Sequence, residues 1–432
     1  MRQLGNICSS LKMKAIINKV NFIIKKGFLH IFGARVVNKV IQFVTSVVIV
    51  RLLSKESYGS FSYAMNILQF FLLFSGLGVA SGVLQFCSEK NKPEEKLPYL
   101  KYSFKIGVSF NAFIALIIVI FVSFFELPVK GSSKILSYLV LIPVFIVAYE
   151  IMETYLRADF KNREFSYLSI SNALFYFLGA LIGGYLFEVY GVIAGRYLAF
   201  IFSISIGLKY FIGKAKSIKK AASLIKRERI EFLKYSVVAC LTISISQLLF
   251  LLDIFLIGLI IREQTVVAAY KAATLIPFAL NFIPGSIMIF AYPYFAKNLK
   301  DKNKIKSYFY EMQKYLIFLN LGISFVLFVF APLIIKVIFG TNYMDSLIPF
   351  RILAVGYFIA GSFRIPAGNV IASIRKIKIN LYNGIISGIL NIVLDIILIY
   401  KFGAVGAAIA TTGILFISSM ISNVYLFNYF RR

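Results

Sequence analysis

The chain has 432 residues, 59% of them hydrophobic and 15% charged, with a mean hydropathy of +0.83. So apolar a composition excludes a soluble domain of any size. The net charge of +29, from 47 Lys and Arg against 18 Asp and Glu, does not point to nucleic acid, because the basic residues sit in short segments between apolar stretches.

A bilayer-spanning helix needs about 20 mostly apolar residues. In chain order, stretches of that kind fall near 28–50, 61–86, 104–125, 134–156, 166–187 and 190–212, then near 234–260, 266–293, 308–330, 347–371, 378–399 and 403–428. The pattern predicts an all-α integral membrane protein of about 12 transmembrane helices. Residues 1–27 form a basic N-terminal segment. The apolar stretch after it is too long for a signal-peptide core and lacks a small-residue cleavage site, so the first helix is expected to be retained. The longest polar stretch, 213–233, reads as a loop joining a first lobe, 28–212, to a second, 234–432.

Orientation follows from Lys and Arg in short loops, with acids counting little. The N-terminus, alternate loops and the C-terminus carry 34 of the 47 cations and the other six loops 9, which leaves Arg35, Lys39, Lys271 and Arg364 inside spans. Both termini are therefore expected on the cytoplasmic side. The run KAKSIKKAASLIKRER, residues 214–229, is a topology anchor or a basic amphipathic segment lying on anionic lipids. Cys8, Cys87 and Cys240 have no metal-like spacing, so neither disulfide nor zinc is expected. With no Trp, an interfacial aromatic belt falls to Tyr, among them Tyr99, Tyr102, Tyr138, Tyr292 and Tyr294 near span ends.

The two lobes read as related. RLLSKESYGSFSYA at 51–64 returns as LIIREQTVVAAYKAA at 259–273, YLRADFKN at 155–162 as VIASIRK at 370–376, and YGVIAG at 190–195 as FGAVGA at 402–407. Six spans per repeat put both bundles in the same orientation around a central cavity, the arrangement of an alternating-access transporter. The segments RLLSKESYGSFSYAMNIL, LLDIFLIGLIIREQTVVAAYKAATLI and YKFGAVGAAIATT resemble those of polysaccharide-export flippases of the multidrug/oligosaccharidyl-lipid/polysaccharide exporter superfamily, over essentially 28–428. The resemblance implies transfer of undecaprenyl-diphosphate-linked oligosaccharide from the inner to the outer leaflet of a bacterial cytoplasmic membrane. It implies no cofactor, and a polysaccharide polymerase and chain-length proteins as partners.

Ionisable groups inside spans are costly, about +2.5 to +3.5 kcal/mol each at a helix centre, and those that persist usually face a cavity. Arg35 and Lys39 share a helix face, Arg364 stands just before Pro366, and Lys271 enters its helix from the outside. Such cations suit a diphosphate, which Arg binds bidentately and Lys as a point charge. Asn38, Gln42, Asn66, Gln69, Gln247 and Asn281 are expected to meet sugar hydroxyls. Two readings of Asp253 are open, a structural pair with Lys271 and a coupling acid. Glu150, Glu153 and Asp395 hold a coupling proton or cation, or pair with Arg157 or a loop Lys. Pro277, Pro284 and Gly285 interrupt one span, whereas Gly76, Gly78, Gly82, Gly179, Gly183 and Gly184 read as close helix packing.

Other functions fit less well. A multidrug cation antiporter of the same superfamily needs an acidic or aromatic pocket without buried Lys and Arg. Carriers of lipid-linked peptidoglycan precursor usually have two further helices, which are not found here. A membrane polymerase or glycosyltransferase needs acid, base or metal-binding residues at the surface, but the external loops are short and His30 sits at the cytoplasmic mouth of the first helix. No GxxxxGK[ST] phosphate loop is present.

Overall fold

The computed structural model describes residues 28–90, 92–212, 223–298 and 301–431, and every regular element in them is helical. Helix α1 is Phe28–Leu52. Helix α2, Lys55–Leu72, starts six residues before the expected span because Ser54 caps it, its hydroxyl accepting from the Ser57 N–H at 3.1 Å. Gly76, Leu77 and Gly78 then take left-handed φ values of 55, 52 and 72°, and α3, Val79–Glu89, leaves at 43° to α2. These glycines therefore break the span as well as pack it. Asn111 on α4, Pro93–Phe124, repairs the break: its Oδ1 accepts from the Gly76 N–H at 2.6 Å and its Nδ2 donates to the Pro143 carbonyl at 2.6 Å.

Helices α5, Ser132–Tyr138, and α6, Ile142–Ala158, form one span bent by 48°. Helix α7 is Asn162–Ile212. Helix α8, Lys226–Ile260, takes in residues expected in the polar loop, its Glu228 carboxylate accepting from the Ile225 N–H at 3.0 Å, and bends by 57° midway. Then come α9, Gln264–Leu280, α10, Phe282–Lys297, α11, Lys302–Val329, and α12, Ala331–Ile338. Helix α13, Leu347–Ile359, widens into a π turn at Ala360–Arg364 before α14, Ile365–Ser373. Helix α15 is Ile377–Arg431.

Among the described residues six helical stretches are long and apolar enough to cross a membrane, Gln264–Tyr292 running over α9 and α10 and Thr341–Ser373 over α13 and α14, or nine with each bent pair taken as one span. Helices α7 and α15, 51 and 55 residues long, are each more than twice the necessary length. Each folds back on itself. Gly179 meets Gly195 and Gly183 meets Gly191 across a break at Phe187 and Glu188, while Gly406 meets Leu398 across Gly403, whose φ is 59°. Counting each as a hairpin of two spans and adding α1 gives about 12 crossings. The same 215 positions separate left-handed Phe160 from Arg375, just before the two hairpins, and Glu188 from Gly403 at their tips, in keeping with two like-oriented bundles.

A Cβ on Gly191 would lie 1.8 Å from the Gly183 carbonyl oxygen. Gly191→Val is therefore expected to cost about 3 kcal/mol by overpacking, read as a lower melting temperature in detergent. Gly322→Ala, where a Cβ meets nothing within 4 Å, serves as the neutral comparison.

The apolar interior shows where the two halves of the chain join. One buried cluster runs without interruption from the first half into 254–276, 327–354 and 399–408 of the second. A second cluster, including Met288, Phe295, Phe309, Ile371 and Phe430, belongs to the second half alone. The halves thus share a core at the end bearing the cation-poor loops and separate toward the basic-loop end. At the joined end, Arg51 donates to the C-terminal carbonyls of α12, including Ile338 at 2.8 Å, which suits the helix dipole. Beside it Lys55 pairs with Asp345 at 2.6 Å and the Tyr58 ring meets Tyr343 edge-on. Helix α8 seals one flank of the cleft through Phe232 and Ser236 against Gly78 and Gly82. On the other flank, α1 and α9 leave a lateral slot.

Candidate functional site

Inside the first half, with α8 of the second along one wall, lies a chamber of about 580 Å³, lined by Asn38, Gln42 and Thr45 of α1, Gln69 of α2, Tyr149, Glu150 and Glu153 of α6, Asn172, Tyr176 and Arg196 of α7, and Gln247 of α8. Gln69 and Tyr176 also line a neighbouring pocket of about 260 Å³ that holds Lys271 between the halves. Gln42 also lines the lateral slot, about 380 Å³, where exposed Lys39 and half-buried Ser46 face Leu275, Phe278 and Phe282. Polar lining inside and phenylalanines at the slot are what an amphiphile with a hydrated head and an apolar tail requires.

The cations expected to act together are distributed unequally. Lys39 and Lys271 line the two pockets beside the chamber. Arg364 lies apart from it, half-buried in the second half, its Nε donating to Ser418 Oγ at 3.2 Å. The Arg35 side chain is outside the described residues. Arg196 was missed by the sequence reading, which counted it with the loop charges. The hairpin tip at Glu188 carries it about 12 Å along its helix, by the α-helical rise. Its guanidinium lies 4.6 and 4.3 Å from the ring centroids of Tyr176 and Phe200, with one long hydrogen bond, 3.5 Å, to Asn172 Oδ1. Two aromatic faces hold the charge while leaving most guanidinium donors free for a ligand.

Two acids share the chamber, which sequence reasoning did not foresee. Glu153 accepts from the Tyr149 hydroxyl at 3.2 Å. Glu150 is half-buried and has no hydrogen bond or ion pair among the described residues. Of the expected polar contacts, Asn38 donates to Ser169 Oγ at 2.7 Å and Asn66 to the Leu251 carbonyl at 3.2 Å, tying helices at the chamber wall. Asn281 lies away from this lining, at the α9–α10 junction.

A second cluster lies inside the second half. Asp253, 3% exposed, and Asp395, fully buried, sit together. Asp253 Oδ2 accepts from the Tyr270 hydroxyl and from Thr411 Oγ1, the latter at 2.6 Å, and Asp395 Oδ2 accepts from Asn391 Nδ2 at 2.6 Å. The other oxygen of each carboxyl is buried with no N–H or hydroxyl donor, the two acids facing one another. Of the two open readings of Asp253, the pair with Lys271 is not formed among the described residues, and Asp253 faces a second acid instead. Both carboxyls cannot be ionised here without a cation or proton between them.

A family model described as polysaccharide biosynthesis protein matches residues 48–348. The chain belongs to this polysaccharide biosynthesis family. Among curated family relatives, the Haloferax volcanii protein named Probable low-salt glycan biosynthesis flippase Agl15 is 24% identical over 93% of this chain and 82% of its own length. The Staphylococcus aureus protein named Capsular polysaccharide biosynthesis protein CapF is 24% identical over 94% of this chain and 99% of its own. Among solved structures, this family member shares its fold with the lipid II flippase MurJ in an inward closed conformation (TM-score 0.71, 18% identity, 93% of this chain and 87% of that one). It shares it equally with an inward-facing multidrug MATE transporter (TM-score 0.73, 13% identity, 91% and 94%).

Proposed function

We propose that the protein moves undecaprenyl-diphosphate-linked oligosaccharide from the inner to the outer leaflet of a bacterial cytoplasmic membrane. The carrying observation is a polar chamber holding Arg196, flanked by two pockets that share wall residues with it, lie between the halves and hold Lys39 and Lys271. The names of Agl15 and CapF support the cargo class, and the excess of cations in alternate loops supports cytoplasmic termini.

In this reading, Arg35 and Lys39 capture the diphosphate at the slot, Arg196 holds it in the chamber, and sugars lie along Gln42, Gln69 and Gln247. The polyprenyl tail stays in lipid past Phe278 and Phe282. The lobes 28–212 and 234–432 then rock, and the diphosphate leaves past Lys271. Asp253 and Asp395 take a proton or a monovalent cation that couples the cycle to an ion gradient. Anionic lipids meet the basic loops, and a polymerase with its chain-length proteins receives the product outside.

The Arg35→Ala/Lys39→Ala double variant is expected to insert normally and to lower surface glycan about tenfold or more, since a hydrogen bond to a charged group contributes about 1.5 to 3 kcal/mol. Wild-type export by this variant removes both residues from the mechanism. Glu150 and Glu153 in the chamber favour a second reading, a cation exporter. Ethidium efflux from cells separates the two: under the flippase reading it does not rise with expression of the protein.

A further inference from the structure

We propose that a polar file along α15 carries the coupling cation from the basic-loop end to Asp253 and Asp395; the proposal rests on the reading of that pair as the coupling site. Asn383, Ser387, Asn391 and Asp395 follow one another at four-residue intervals and are 6, 0, 3 and 0% exposed. Four-residue spacing places them on one helix face, over about 18 Å. The rest of this stretch is lipid-like: Ile385, Ile389, Val393 and Ile396 are 45, 61, 48 and 48% exposed. Amides and hydroxyls are thus gathered on the side that lipid never touches.

Hydrogen bonds connect the file. Arg364 Nε donates to Ser418 Oγ at 3.2 Å, Asn383 Nδ2 donates to the Ser418 carbonyl at 2.9 Å and to Ser422 Oγ at 2.8 Å, and Ser387 Oγ donates to Asn383 Oδ1 at 3.2 Å. After one turn without a direct bond, Asn391 donates to Asp395. That turn is polar on both sides, the setting in which a bridging water is stable. Side chains serving only to hold helices together satisfy one another. This file instead ends on two buried carboxyls, Asp253 and Asp395, whose Oδ1 atoms have no N–H or hydroxyl donor and face one another, so that a proton or cation is needed between them. Arg364 is the charged side chain bonded to the mouth of the file, and its guanidinium favours ion movement only when an anion, such as the cargo diphosphate, lies nearby.

The ligand class is a monovalent cation, sodium or a proton carried on water. The test uses silver ion, a thiol-binding monovalent cation, on the full-length protein in membrane vesicles of both orientations, with Cys8, Cys87 and Cys240 replaced. Asn383→Cys and Ser387→Cys are expected to be blocked about tenfold faster than lipid-facing Ile389→Cys, and from the basic-loop side, because hydrated ions avoid hydrocarbon. Ser387→Cys blocked no faster than Ile389→Cys, or blocked equally from both sides, overturns the file. Carbodiimide labelling of Asp395 in the unmodified protein tests the coupling site independently. Labelling slowed by sodium and not by choline identifies sodium, and labelling that falls only as pH rises identifies the proton. Absence of labelling overturns the coupling reading, and with it the proposed purpose of the file.

Discussion

Bridging Lys55→Cys to Asp345→Cys with a short cleavable bis-maleimide is expected to reduce glycan export to background, and cutting the bridge to restore it. The two side chains join α2 to the turn before α13 and meet at 2.6 Å, with 17% and 49% of their surfaces exposed. An ion pair that exposed contributes about 0 to 1 kcal/mol, so the unbridged double variant should export normally. Around it the seam is tight: a Cβ on Gly59 would lie 1.9 Å from the Gln264 carbonyl oxygen, and Gln264 Nε2 donates to Ser60 Oγ at 2.7 Å and to the Lys130 carbonyl at 2.8 Å. A seam this close releases cargo only if the halves part. Measured surface glycan in bridged cells decides the matter: export that persists through the covalent link means that this face never opens, and rocking of the lobes fails as a mechanism.

Asp395→Asn should abolish coupled export while leaving the protein at least as stable as the parent. Asparagine keeps the shape and accepts the Asn391 hydrogen bond, but removes one of two facing acids, which relieves repulsion in a buried site. Coupling free energies of about 1 to 3 kcal/mol correspond to an export loss of roughly 5- to 150-fold. Asp253→Asn should behave alike, and the double variant should lose little more than either, since the two carboxyls act as one unit. Thermal unfolding with and without sodium, alongside surface glycan, separates the outcomes. Export unchanged in both single variants would make the pair a structural one.

Hydropathy located the spans because lipid imposes one rule on every crossing helix, and the small residues near 190–195 and 402–407 marked both hairpin tips. Breaks inside a span were harder. Gly76 and Gly78 were read as packing residues, because a left-handed turn and a close helix contact call for the same side chain. Arg196 escaped for a similar reason: its depth depends on how tightly the chain reverses at Glu188. The partner of Asp253 was left open since Lys271 and Tyr270 are neighbours on one helix, and only the rotation of α9 decides which of them faces α8. Glu150 and Glu153 were read as coupling acids or as partners of Arg157 or a loop Lys, and their place in the chamber wall was not legible because the bend between α5 and α6 has no local sequence mark beyond Pro143.

Met288, Phe295, Phe309, Ile371 and Phe430 are buried against one another with no side chain from the first half among them. That portion of the molecule can swing without uncovering oily surface of its own. The work of each stroke therefore falls on wetted groups at the chamber and on the seam beyond it, so the turnover barrier should respond more to hydration and charge than to the packing of the moving parts.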